Sequence, residues 1–220
     1  MRMNGVITKS ILCLLIVVAA GAAMWELSDL GWHMKWFTIG SMIVALIACV
    51  SISYFQRWVA PLTILYSVAK GVFLGSVSIY FKNNATELLV QAAMLTVLAF
   101  LVMFALYAFR IIKVTKLVRS IIINAAMTIF VLYFGNWLLD LFFDYSLPFI
   151  TGNGWWAIGF NVVAAVVASF TLLLDFDFVE RNVGVAPQIK EWNATFGLLV
   201  SILWMYWELV RLLQKLATRR

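Results

Sequence analysis

Charge is what this chain has least of. Only 12% of its 220 residues are Asp, Glu, Lys or Arg, about half the share of a soluble domain. Acids are the scarcer sign, ten against sixteen Lys and Arg. There is one histidine, His33, and two cysteines, Cys13 and Cys49, with no Cys-x-x-Cys. That set argues against a zinc site. Both cysteines lie inside apolar runs, so they say little about redox compartment. No basic helix carries interleaved base-reading residues, so the net charge of +6 does not point to nucleic acid. No Ser/His or metal-ligand set is present, and a paired-aspartate protease would need two acids at matched depth, so an enzyme is not expected.

What is abundant is hydrocarbon. The chain is 65% hydrophobic with mean hydropathy +1.00, against roughly 45–50% apolar in soluble domains. Each apolar run approaches the roughly 20 residues that cross about 30 Å of bilayer core. The chain therefore reads as an all-α polytopic membrane protein. It forms a single transmembrane domain over 1–220, with helices at about 6–27, 36–55, 61–81, 87–109, 120–142, 155–176 and 193–216. Ile11 to Val18, followed by Ala20-Gly21-Ala22, also has the layout of a cleaved leader. A first span is the better reading because more spans follow.

The connections carry the polar signals. Arg110, Lys113, Lys116 and Arg119 form the strongest basic cluster, which reads as a cytoplasmic loop in contact with lipid headgroups. With the amino terminus inside, segments 56–60, 110–119 and 181–192 are cytoplasmic and hold one, four and two Lys or Arg. The outer segments 28–35, 82–86 and 144–154 hold one, one and none. The basic end, with Arg211, Lys215, Arg219 and Arg220, conflicts with that orientation if seven helices span. His33 beside Trp32 reads as an interfacial loop residue, with pH sensing as the sharper alternative. The Asn-x-Thr sequons at Asn84 and Asn193 read as chance. In the third span Gly71 and Gly75 have the G-xxx-G spacing that lets another backbone approach closely. Lys70 beside them lies near mid-span, as either a packed lysine bonded to carbonyls or a counter-ion for a buried carboxylate.

Acids inside apolar runs are the remaining signal, because a charge at bilayer depth usually faces a cavity or a partner. Leu172-Leu-Leu-Asp-Phe-Asp-Phe-Val-Glu-Arg181 holds Asp175, Asp177 and Glu180, and Phe196 to Leu213 holds Glu208. On a helix Asp177 and Glu180 share a face, while Asp175 and Asp177 are about 200° apart. Glu208 either pairs simply with Arg211 one turn on or meets Asp175 or Asp177 across a helix contact. Two carboxylates in one dry site would titrate as a unit, giving a pH gate or an oxygen-ligand site for calcium. Asp140 and Asp144, one turn apart, read as an acidic interfacial end or the outer mouth of a cation path.

Asp175-Phe-Asp-Phe-Val-Glu-Arg181, Lys190-Glu-Trp192, Phe196-Gly-Leu-Leu-Val200 and Met205-Tyr-Trp-Glu-Leu-Val-Arg-Leu-Leu213 resemble the Bax inhibitor family, and its bacterial branch most. Ala60-Pro61, Lys70-Gly-Val-Phe-Leu-Gly75 and Arg110-Ile-Ile-Lys-Val-Thr115 extend the likeness. The resemblance implies seven helices with the last one central between two three-helix layers. It implies a pH-sensitive calcium leak channel, with calcium or protons as the moving ion and no cofactor. Its gate would be an acidic pair, Asp175 or Asp177 with Glu208, and Arg57 or Lys70 would be the counter-ion. It also allows a non-transporting regulator that binds a membrane protease or a stress partner. The setting implied is a bacterial plasma (inner) membrane with a cytoplasmic amino terminus. Two departures stand out: Glu replaces the more familiar Asp in the last helix, and the connector between the acids is longer, which allows an offset in depth.

Overall fold

The computed structural model describes residues 1–29, 34–80 and 85–218. His33, Trp32 and the Asn84 sequon lie outside the described residues. The described chain is all helix and short connection. Helix α1 spans Met3–Asp29, α2 Met34–Tyr54, α3 Val59–Tyr80, α4 Ala85–Ala108 and α5 Lys116–Phe143. Short α6 spans Pro148–Thr151, α7 Trp155–Asn182 and α8 Ile189–Ala217, with a 3₁₀ turn at Gln56–Trp58. Seven of these are long and apolar enough to cross a membrane. Helix is the form such runs must take, because hydrocarbon offers no partner for a free N–H or C=O.

Local chemistry sets the ends. The Thr115 hydroxyl accepts from the N–H of Val118 at 3.2 Å and starts α5. Asp144, at φ 49°, closes α5 through its own N–H. Gly184, at φ 79°, turns the connector after α7, a conformation that glycine adopts without strain. Two elements differ most from the sequence expectation, while α5 and α8 each begin four residues early. The turn-rich loop 145–154 contains α6, where Pro148 stands at a first-turn position that needs no N–H. Helix α7 also runs six residues past 176, so the whole acidic stretch is helical. Hydropathy marks where hydrocarbon ends, whereas backbone hydrogen bonding carries the helix on into the interface.

The chain groups into two compact units: Met1–Glu87 with Phe178–Leu199, and Leu88–Asp177 with Val200–Arg220. In the first unit α3 packs on both α1 and α2. Gly71 and Gly75 face α1. A Cβ at Gly75 would lie 2.5 Å from the Gly21 carbonyl oxygen, and one at Gly71 would strike the Val17 carbonyl. The G-xxx-G spacing therefore works here as a close backbone contact. The start of α1 is tied to the segment before and within α8. Glu191 accepts from the Arg2 N–H at 2.8 Å and from the Lys9 ammonium.

In the second unit Phe176 of α7 meets Phe100, Phe104 and Tyr107 of α4 at ring separations of 5.5–5.8 Å. Half (50%) of the most apolar window of α7 is buried inside the protein, against 11% in α4 and α5. Large exposed side chains such as Leu95, Leu101, Ile121 and Phe130 are left for lipid. In water such a surface would be a liability.

Candidate functional site

Three acids of α7 and α8, namely Asp175, Asp177 and Glu208, lie within the second unit, each in its own setting. Asp177 is 6% exposed and accepts from the Arg119 guanidinium of α5 at 2.9 Å. Asp175, rotated to another face, accepts from the Ser201 hydroxyl of α8 at 2.5 Å. The angular separation expected on a helix is therefore realised, and the two aspartates have different partners. Glu180 is exposed.

Glu208 is fully buried and fully satisfied. Its Oε1 accepts from the Trp204 indole at 3.0 Å and from Arg211 at 3.0 Å. Its Oε2 accepts from the Tyr133 hydroxyl at 2.8 Å and from the Asn161 amide at 3.2 Å. A carboxylate has about four lone-pair sites, and donors occupy all of them. The Arg211 guanidinium also lies 4.2 Å from the Tyr133 ring centroid, a cation–π distance. Tyr133 thus holds both members of the ion pair, one with its oxygen and the other with its ring. The intrahelical Glu208–Arg211 pair exists, inside a larger donor set than the sequence suggested.

The acids do not converge. The α8 side chain that meets Asp175 is Ser201, and Glu208 lies seven residues farther on, about 10 Å along the axis. Among the described residues no group of three or more His, Cys, Asp or Glu side chains could hold a metal ion. Asp175, Asp177 and Glu208 thus form neither a calcium-ligand set nor, in this structure, a direct acidic pair. The physical reason is that each already has its own partner at its own depth.

The expected counter-ions, Lys70 and Arg57, belong to the first unit. Lys70 places its ammonium over the rings of Tyr66 and Phe73, at 5.7 and 5.4 Å, with no carboxylate partner among the described residues. Arg57 is exposed in the 3₁₀ turn. The cations that do meet the acids are Arg119 and Arg211. Asp140 and Asp144 are exposed at the end of α5.

Sequence reading missed Ser201, Tyr133 and Asn161, and took Lys215 only as part of the basic end. A signal for part of this was present. Ser201, Trp204, Glu208, Arg211 and Lys215 recur at i, i+3, i+7, i+10 and i+14, which is one stripe of a helix. Asn161 is also the one amide in a long apolar run.

A family model described as Bax inhibitor 1 like matches residues 1–218. The chain belongs to that family. Neither a curated protein nor a solved structure gives a significant match.

Proposed function

We propose that this member of the Bax inhibitor 1-like family is a pH-sensitive cation leak channel, with calcium as the ion carried, and that it has no catalytic activity. The observation that carries this reading is the Asp175–Ser201 contact. Asp177 and Glu208 each bond a guanidinium, so each is matched to its ionised form. Asp175 bonds a hydroxyl. A serine hydroxyl donates to a carboxylate and accepts from a carboxylic acid, so this partner satisfies either protonation state. Asp175 is therefore the acid that can gain and lose a proton without breaking its contact, and when ionised it attracts a cation. Calcium enters as cargo; no resident site is assigned. In this reading the protein lies in a bacterial plasma membrane with a cytoplasmic amino terminus. The four Lys and Arg of 110–119 support that orientation.

The test is calcium flux into liposomes carrying the purified protein, from about pH 5 to pH 8. Ionisation adds the attracting charge, so flux should rise as pH rises. Asp175→Asn should flatten the profile while the protein stays folded, because Ser201 can accept from the new amide. A profile that keeps its slope in Asp175→Asn, or no flux above empty liposomes at any pH, overturns the reading. The second outcome would favour the regulator that binds a membrane protease or a stress partner.

A further inference from the structure

Lys215 lies near the end of α8, where a lysine ordinarily snorkels to water. It does the opposite and is only 7% exposed. Its ammonium donates to the Ile150 carbonyl at 2.6 Å, to Asn161 Oδ1 at 2.5 Å and to the Ala157 carbonyl at 3.4 Å. An ammonium has three donors, and acceptors on α6 and α7 occupy all three.

Two consequences follow from this geometry. Because Asn161 Oδ1 faces the ammonium, its Nδ2 is left to donate to Glu208. The orientation of the amide is thus set by Lys215. Ile150 belongs to α6, and α6 is held at its other end by the Leu147 N–H, which donates to Asn136 Oδ1 at 2.7 Å. The connection between α5 and α7 is pinned at both ends, and one pin shares a side chain with the Glu208 cluster.

We propose that Lys215 is a positioning residue. It latches the α5–α7 connection onto α8 and, through Asn161, holds the donor set on Glu208. The groups facing Glu208 are Arg211 and Trp204 from α8, Tyr133 from α5 and Asn161 from α7. Lys215 acts on it through the last of these. A ligand or lipid that shifts the 144–154 connection is thereby felt at a buried carboxylate that the connection does not itself bond. The latch stands on hydrogen-bond geometry alone. Only its consequence for ion flow rests on the channel reading.

The experiment uses the full chain in lipid nanodiscs, labelled with ¹⁵N-tryptophan. The Trp204 indole resonance is assigned with Trp204→Phe, because that N–H bonds Glu208 directly. Lys215→Met is expected to shift the Trp204 resonance and to speed amide exchange over 147–152 by about tenfold or more. Exchange over 59–80 should stay unchanged, and Lys215→Arg should restore part of both effects. An unmoved Trp204 resonance overturns the proposal, as does exchange that quickens equally in α3. If Lys215→Met does not fold, Asn136→Ala loosens the other end of α6 with Lys215 intact. It should quicken 147–152 and move the Trp204 resonance in the same direction, and no change in either defeats the latch. Absence of calcium flux in every variant would count against the channel reading and leave the latch standing, since resonance and exchange report it.

Discussion

The buried acids Asp175, Asp177 and Glu208 differ in the donors beside them. Glu208 is surrounded by an indole, an amide, a phenol and a guanidinium, all donating. Glu208→Gln would replace an acceptor oxygen with an NH₂ that faces donors, and would leave Arg211 without its ion pair. The expected loss is about 2–4 kcal/mol of stability, measured by thermal unfolding in detergent. A variant as stable as the wild type would show that the cluster reorganises freely. Asp175 is the contrasting case, because Ser201 tolerates either form. A flux test of the proposed gate is therefore less confounded by misfolding at Asp175 than at Glu208. Composition made both acids visible. Spacing also indicated Arg211 for Glu208, but not Ser201 or Tyr133, which are residue types too common in spans to stand out.

Helices meet where side chains are missing. Gly71 and Gly75 bring α3 against the backbone of α1 at Val17 and Gly21, so packing there depends on the absence of a Cβ. Gly75→Ala should destabilise the protein by about 1–3 kcal/mol. Gly40→Ala, where an added Cβ meets nothing within 4 Å, should be close to neutral. Unfolding midpoints of the two variants check this, and equal midpoints would remove the contact from the account. The G-xxx-G spacing was legible in the sequence, but its partner helix was not, since spacing does not name what approaches. The polar stripe of α8 was legible in the same incomplete way. The 3–4 periodicity of Ser201, Glu208, Arg211 and Lys215 declares one face, and only packing shows that the face is turned inward.

Orientation in the membrane belongs to the whole molecule. No single residue sets it; the sum of Lys and Arg on short connections does. Changing Arg110, Lys113 and Lys116 to Gln removes three of the four cations from the strongest cluster. A measurable fraction of chains should then insert with the amino terminus outside. Labelling of an engineered cysteine at residue 2 from either side of sealed vesicles reads that fraction. An unchanged distribution would mean that other segments dominate.

At this scale the sequence carried a great deal. Long apolar runs with few charges leave the backbone no partner but itself, so seven long helices at nearly the expected places were determined by composition and run length alone. The motifs in α7 and α8 were likewise enough to indicate the family, which the match over residues 1–218 shows. Tertiary structure decided which side chain each acid would meet. Asp175 takes Ser201, Asp177 takes Arg119 and Glu208 takes four donors, because depth and rotation of α5, α7 and α8 fix distances that spacing along one helix cannot. It also decided that Lys215 turns inward to Ile150 and Asn161 instead of outward to water. A lysine near a helix end can do either, and only the carbonyls waiting on neighbouring elements settle the choice.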